Sequence, residues 1–290
     1  MKALAEMSAA EASGFRYMLM DIDDTLTTAG KLPAVAYAAL WRLAGAGLKV
    51  IPVTGRPAGW CDLIAREWPV DGVVGENGAL VFWEEDDGSA AEVGAHNTAQ
   101  NAAPSMGGRR VLKQEFHPQA VRNDHPVLEK IKKRALEEIT GLRMAKDQFA
   151  RLFDIALDFA EEDPVLPLET AERVRAIAEE EGARAKISSI HVNVWMGEYD
   201  KLSMAEHFLQ SRFGWRGGTE AAYREVLFAG DSPNDEPMFA RFPLACGVAN
   251  VERYRNYMKH LPGFIASREG GEGFAEIAET VLAKRAGGYG

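Results

Sequence analysis

Residues 15–20, apolar except for Arg16, run without a break into Asp21-Ile22-Asp23-Asp24-Thr25. An apolar run this short, stopped at once by polar residues, reads as a buried strand. A strand without polar alternation is covered on both faces, as in the middle of a parallel sheet flanked by helices. Ligands of such sheets bind beyond the carboxyl ends of the strands, and Asp21 and Asp23 stand at that end. Clustered carboxylates repel one another unless a cation lies between them or one stays protonated. An oxygen-rich site of this kind suits Mg²⁺, which keeps waters and accepts phosphate oxygens. The plainer alternative is a solvated acidic turn, because Asp-x-Asp-x-Thr alone is a weak signal.

The rest of the chain repeats the strand–helix alternation. Helices are expected over 34–44 and 58–67, strands over 48–53 and 70–74, and a hairpin partner over 79–83 after the Asn77-Gly78 turn. This order implies parallel strands with right-handed crossovers. The pattern changes at Glu84. Residues 84–108 are acidic, then rich in Gly, Ala, Asn and Ser, and read as a linker. A strand over 109–116, a helix over 126–140, a strand over 151–159 and a helix over 167–181 follow. The stretch 184–195 is strand-like, with Arg184, Lys186 and Ser188 polar at even positions and Ser189, His191 and Asn193 at odd ones. That reversal predicts a bulge or bend at 188–189. From 196 onward the alternation resumes, with helices over 201–213 and 273–285 and strands over 225–229, 243–248 and 263–266. The expectation is an α/β fold: a Rossmann-like, doubly wound parallel core (15–83 and 196–290), an inserted α+β module (84–195) and a flexible tail (1–14).

Composition narrows the partners. The 290 residues are 47% hydrophobic and 26% charged, ordinary for a globular protein. The formal net charge of −10 argues against broad nucleic-acid binding, which needs basic surface. No run approaches the roughly 20 apolar residues of a membrane span. Residues 1–14, with Glu6 and Glu11, do not read as a signal peptide. Two cysteines on unrelated segments, Cys61 and Cys246, suit reduced thiols and a cytoplasmic setting. The expected partner is a small phosphorylated metabolite, with no role for nucleic acid or membrane.

Four segments lie just after an apolar strand or at a helix start: Asp21/Asp23/Thr25, Thr54/Gly55/Arg56, Lys201, and Asp231/Asn234/Asp235. A parallel sheet puts them on one edge. Together they offer carboxylates for a cation, a hydroxyl and amides for phosphate oxygens, and a lysine for the remaining charge. That set suits phosphoryl transfer, where catalysis is mainly positioning and charge stabilisation. Each residue also has a plainer role: Thr54 as a helix cap, Arg56 as a surface or positioning residue, Asp235 as a first-turn acid, Lys201 as a solvated helix lysine, and His191 as a packed strand residue.

These segments resemble the haloacid dehalogenase-like hydrolase superfamily. Asp21-Ile-Asp23-Asp-Thr25, Val53-Thr54-Gly55-Arg56, Lys201 and Gly230-Asp231-Ser-Pro-Asn234-Asp235 are similar to its four motifs, in order. The insert after the third strand, with Glu76-Asn77-Gly78-Ala79, is similar to the Cof-like branch, subfamily IIB, which carries a C2-type cap. The run before Lys201 departs from the acidic Pro-x-Gly turn of many relatives. The resemblance implies a Mg²⁺-dependent phosphatase of a sugar phosphate or phosphorylated sugar acid. It makes Asp21 the nucleophile and Asp23 the general acid and base. Asp21, the Asp23 carbonyl, Asp231 and Asp235 would serve the metal. Thr54, Gly55, Lys201 and Asn234 would serve the phosphoryl group, with Asn234 orienting Lys201 or a substrate oxygen. Arg56, Asn77, Arg184, Lys186, Ser188, His191 and Asn193 are candidates for substrate contact. The alternatives are a phosphosugar mutase of the same superfamily and a catalytically silent phosphate-binding regulatory domain.

Overall fold

A computed structural model of the chain describes residues 1–86 and 110–287. Residues 84–86 complete a strand, and the rest of the expected linker lies outside the described residues. The chain begins with β1 (Lys2–Ala3), α1 (Ala9–Gly14), β2 (Tyr17–Met20), α2 (Ala34–Gly45), β3 (Lys49–Pro52), α3 (Ala58–Glu67), β4 (Val73–Gly75), β5 (Leu80–Asp86) and β6 (Arg110–Phe116). It continues through α4 (Pro126–Glu138), β7 (Arg143–Met144), β8 (Asp154–Asp158), α5 (Leu168–Glu180), β9 (Arg184–Ile187) and β10 (His191–Trp195). The last part holds α6 (Lys201–Phe213), α7 (Glu220–Tyr223), β11 (Val226–Gly230), α8 (Glu236–Arg241), β12 (Leu244–Gly247), β13 (Phe264–Ile265) and α9 (Gly270–Gly287).

A parallel sheet in the order β1-β13-β12-β11-β2-β3 forms the core. β2 lies between β11 and β3, and all four of its side chains are buried. Met18 and Met20 join Leu40, Leu43, Phe274 and Ile277 on one face. Tyr17 and Leu19 join Met204, Phe208 and Phe239 on the other. Side chains of this kind each contribute about 1.5–3 kcal/mol when fully buried, so a polar residue at 17–20 would be costly on either face. The Val53–Val74 bridge carries the sheet on to β4, and β4, β5 and β6 pair antiparallel. Strand 110–116, expected within the inserted module, therefore pairs with the core hairpin.

The expectation of a flexible N-terminal tail does not hold. Lys2–Ala3 pairs parallel with Phe264–Ile265, and Leu4, Met7 and Ala12 are buried. Lys284 Nζ donates to the Ala5 carbonyl and Arg285 to the Phe15 carbonyl, tying α9 to this segment. A two-residue edge strand is too short to show a sequence period, which is why it escapes a pattern reading.

The inserted cap has its own antiparallel sheet, β7-β8-β10-β9. Ile155, Leu157, Val192 and Val194 pack under Leu128 and Ile131 of α4 and Val174 and Ile177 of α5. By strand alternation Asp154, His191 and Asn193 point the other way. The expected bend at 188–189 is instead a tight turn between β9 and β10. Ser188 N–H donates to the His191 carbonyl (2.9 Å), and Ser188 Oγ accepts from His191 N–H (3.0 Å). The polar face flips because the chain reverses direction.

Candidate active site

Asp21 follows β2 directly, and its N–H donates to the Ala229 carbonyl at 2.9 Å. Lys201 opens α6, and its Nζ lies 2.7 Å from Asp21 Oδ1 and 2.8 Å from Asp235 Oδ1. The start of α6 is fixed by Asp200, whose Oδ1 accepts from Ser203 N–H at 2.8 Å. It is also fixed by close packing. A Cβ at Gly78 (φ +105°) would sit 2.0 Å from the Asp200 carbonyl oxygen, so the turn between β4 and β5 needs glycine there. Asp231 follows β11. Its Oδ1 accepts from Thr25 Oγ1 (3.0 Å) and its Oδ2 from Asn250 Nδ2 (3.1 Å). Asp235 Oδ2 accepts from Asp231 N–H (3.0 Å) and Ser232 N–H (3.3 Å).

Asp21, Asp231, Asp235 and Lys201 are all buried. The three carboxylates each offer an oxygen within 4.8 Å of the others, and one ammonium cannot balance them. Burial, only partly offset by Lys201, pushes the Asp21 carboxyl up to about 8. Burial, then repulsion from Asp235 and Asp21, pushes Asp231 well above its usual range. Burial works against the Lys201 charge, but Asp21 and Asp235 outweigh it and hold the ammonium above its ordinary range. Buried carboxylate oxygens with a deficit of positive charge are the donor set of a hard divalent cation such as Mg²⁺.

Asp23 does not join this cluster through its side chain. Arg56 grips it, with Nε 2.9 Å from both carboxylate oxygens and Nη2 2.7 Å from Oδ1. Arg56 is only 4% exposed, against the surface role that its sequence context allows. Its guanidinium lies 4.3 Å from the Trp60 ring centroid, a cation–π contact. Nη1 reaches across to the cap, 2.9 Å from Glu161 Oε1 and 3.4 Å from Asp147 Oδ2. Glu161 Oε2 then meets His191 Nε2 at 2.8 Å.

A second core–cap contact lies beside the first. Glu76, fully buried at φ +45°, accepts from Ala58 N–H (2.9 Å) of the core. It also accepts from Leu152, Phe153 and Asp154 N–H (2.8, 2.7 and 3.2 Å) of the cap. Burial and Asp154 push its carboxyl up to about 7, against the opposing pull of these amides. Arg151 donates to the Gly55 carbonyl (2.8 Å) while bonded to Asp147 and Asp154. Thr54 Oγ1 accepts from Arg56 N–H (3.1 Å), a local turn within the second motif rather than a helix cap. Asn77 (φ +54°) is buried, and among the described residues neither its Oδ1 nor its Nδ2 has a partner.

A small cavity gathers part of the expected set. Asp21, Asp23, Gly55, Arg56 and Asn234 line it from the core, and Ser188, His191 and Asn193 line it from the cap. Both polar sets of the 184–195 segment contribute, because the turn brings them together. Asn234 Oδ1 accepts from Ser232 Oγ (2.8 Å), while Lys201 Nζ bonds Asp21 and Asp235. Arg184 pairs with Glu198, and Lys186 lies in a neighbouring crevice with Glu172, Glu179 and Glu236. The cavity volume, about 10 Å³, is at the lower limit for one ordered water.

Sequence reasoning missed Glu161, Asp147, Arg151 and Asn250, and assigned no role to Glu76. Glu161 carries the faint signal of an acidic run directly after a strand, the feature that picks out Asp21. Asn250 likewise follows a parallel strand and bridges Asp231, the Asp24 carbonyl and Gly270 N–H.

Residues 18–103 match a family model described as haloacid dehalogenase-like hydrolase. That span holds Asp21, Thr54, Arg56 and Asn77 but stops before Lys201 and Asp231. No curated protein matches the chain. Among solved structures, a Thermoplasma acidophilum protein, 0175, superposes with TM-score 0.61 at 20% identity, over 92% of this chain and 98% of that one. A subclass IIB sugar phosphatase of the haloacid dehalogenase superfamily superposes with TM-score 0.56 at 16% identity, over 94% and 99%. The sucrose-phosphatase of Synechocystis, solved with sucrose and phosphate, superposes with TM-score 0.54 at 14% identity, over 92% and 97%. The chain thus resembles haloacid dehalogenase-like hydrolases in sequence over its first third and shares their fold, a Rossmann-like core with a cap, over nearly its whole length.

Proposed function

We propose that this chain is a Mg²⁺-dependent phosphomonoesterase of a small phosphorylated metabolite, a sugar phosphate or phosphorylated sugar acid. The observation that carries the reading is the buried Asp21–Lys201–Asp235 arrangement, with Asp231 beside it, at the carboxyl edge of the parallel sheet. Asp21 attacks phosphorus, and the bond from phosphorus to the ester oxygen breaks, leaving the phosphoryl group on Asp21. Asp23, held in place by Arg56, gives a proton to the departing oxygen and then takes one from the water that frees Asp21. Lys201 balances charge on the phosphoryl oxygens, and Thr54, the Gly55 amide and Asn234 stand ready to hold them. Asp21, Asp231 and the Asp23 carbonyl would hold Mg²⁺, with Asp235 in support. Bound there, the ion supplies charge neutralisation for the transferring group.

The test is phosphate release from a panel of phosphorylated metabolites. Turnover should vanish in EDTA, return with Mg²⁺ and return poorly with Ca²⁺, whose looser coordination displaces the nucleophile. Asp21→Asn should lose at least about a thousandfold in kcat while keeping the wild-type melting temperature or exceeding it, since it relieves carboxylate repulsion. Turnover in chelator, or by folded Asp21→Asn protein, would refute the assignment.

A further inference from the structure

We propose that Glu161 is a charge filter, so that the leaving-group side of the cavity accepts neutral hydroxylated chains and rejects those bearing a carboxylate. The inference rests on the phosphomonoesterase reading and narrows its substrate class. Among the described residues lining the cavity, Arg56 is the one with a permanent positive charge. Each of its nitrogens is already engaged: Nε and Nη2 with Asp23, Nη1 with Glu161 and Asp147. His191, the other group able to carry positive charge there, spends Nε2 on the second oxygen of Glu161. Glu161 thus fills, from within the protein, the place where Arg56 and His191 would grip a substrate carboxylate.

Its position is built rather than incidental. Glu161 N–H donates to Asp158 Oδ1 at 2.8 Å, which anchors the loop to the end of β8. Bonding to His191, reinforced by Arg56, holds its carboxyl down to about 2, so it is charged throughout the neutral range. The neighbouring crevice offers no reserve of positive charge, because Glu172, Glu179 and Glu236 outnumber Arg175 and Lys186 there. What remains uncommitted is amide: among the described residues both polar atoms of buried Asn77 lack partners, and Asn193 Oδ1 lies close to Gly55 while its Nδ2 donates to Asp154. Amides both donate and accept, as hydroxyls do, whereas a carboxylate only accepts. A carboxylate near Glu161 meets like charge at short range, which in partly buried surroundings is worth at least about tenfold in affinity.

The test compares glucitol 6-phosphate with gluconate 6-phosphate, which differ by one terminal carboxylate on the same six-carbon chain. Dissociation constants are measured by calorimetry with Mg²⁺ on the full chain carrying Asp21→Asn, so turnover is not needed. Glucitol 6-phosphate should bind at least about tenfold tighter. Adding Glu161→Gln, which removes the charge and keeps the shape, should bring the two within about threefold. Adding Glu161→Ala, which frees Arg56 and His191, should reverse the preference. Equal binding before substitution, a ratio unmoved by either substitution, or binding of neither ester overturns the proposal. Phosphate release by the unsubstituted chain is scored separately. Its absence from every ester would sink the phosphatase reading, while the binding comparison still decides the role of Glu161.

Discussion

At the scale of single residues, several of the polar groups that matter are buried and multiply bonded. Glu76 illustrates the energetics. Its carboxylate satisfies four backbone amides from two parts of the chain, and no water could replace it without space being opened. Glu76→Ala should lower unfolding free energy by about 3 kcal/mol, the scale of leaving buried donors unpaired. The pH dependence has a definite sign. The folded carboxyl lies near 7, above its unfolded value of 4.5, so the folded state binds the proton more tightly. Its contribution is therefore fully present below about pH 4.5 and declines as pH rises through about 7. Denaturant titrations of wild type and Glu76→Ala between pH 4 and 8 check both points, since the variant should lack this slope.

At the scale of elements, the site depends on how closely the turn between β4 and β5 approaches the first turn of α6. Two glycines with positive φ separate strain from crowding. Gly47 (φ +78°) has open space where a Cβ would go, whereas Gly78 (φ +105°) would drive one into the Asp200 carbonyl. Gly47→Ala should cost about 1–2 kcal/mol, the left-handed backbone penalty alone. Gly78→Ala should cost about 3 kcal/mol or more, adding overpacking. It should also lower kcat beyond what instability explains, because Lys201 is the next residue after Asp200. Chemical denaturation gives the first pair of numbers, and turnover measured well below the melting temperature gives the last.

At the scale of the whole molecule, cap and core meet along two unlike edges. One is sealed by Glu76 and Arg151, which bond the core backbone and the 147–154 segment together. The other, carrying Ser188 and His191, borders the cavity. Any hinge motion of the cap would leave the sealed edge as its natural pivot. Hydrogen exchange tests this. Amides of Leu152–Asp154 should stay protected with and without inorganic phosphate, while those of 188–191 should gain protection when phosphate and Mg²⁺ bind. Equal protection changes at both edges would argue against a pivot there.

What the amino-acid order determined by itself is the core and its carboxylate-bearing edge. Asp21, Thr54, Asp231 and Asp235 follow apolar strands and Lys201 opens a helix, and parallel topology obliges strand ends to share one side of a sheet. Local pattern therefore sufficed to bring together residues as far apart as Thr25 and Asp231. The N-terminal pairing and the bonds that join cap to core were decided by tertiary structure alone, whereas the break at 188–189 and the cap-side residues Ser188, His191 and Asn193 were legible in the polar alternation, though not as a chain reversal. Arg56 meets Glu161 across 105 positions, and Glu76 meets Asp154 across 78. These contacts depend on how two separately folded sheets dock, and no spacing or period within either segment records that. A short acidic run such as Glu161-Glu162-Asp163 looks like solvated loop until another layer pairs one of its members with a guanidinium.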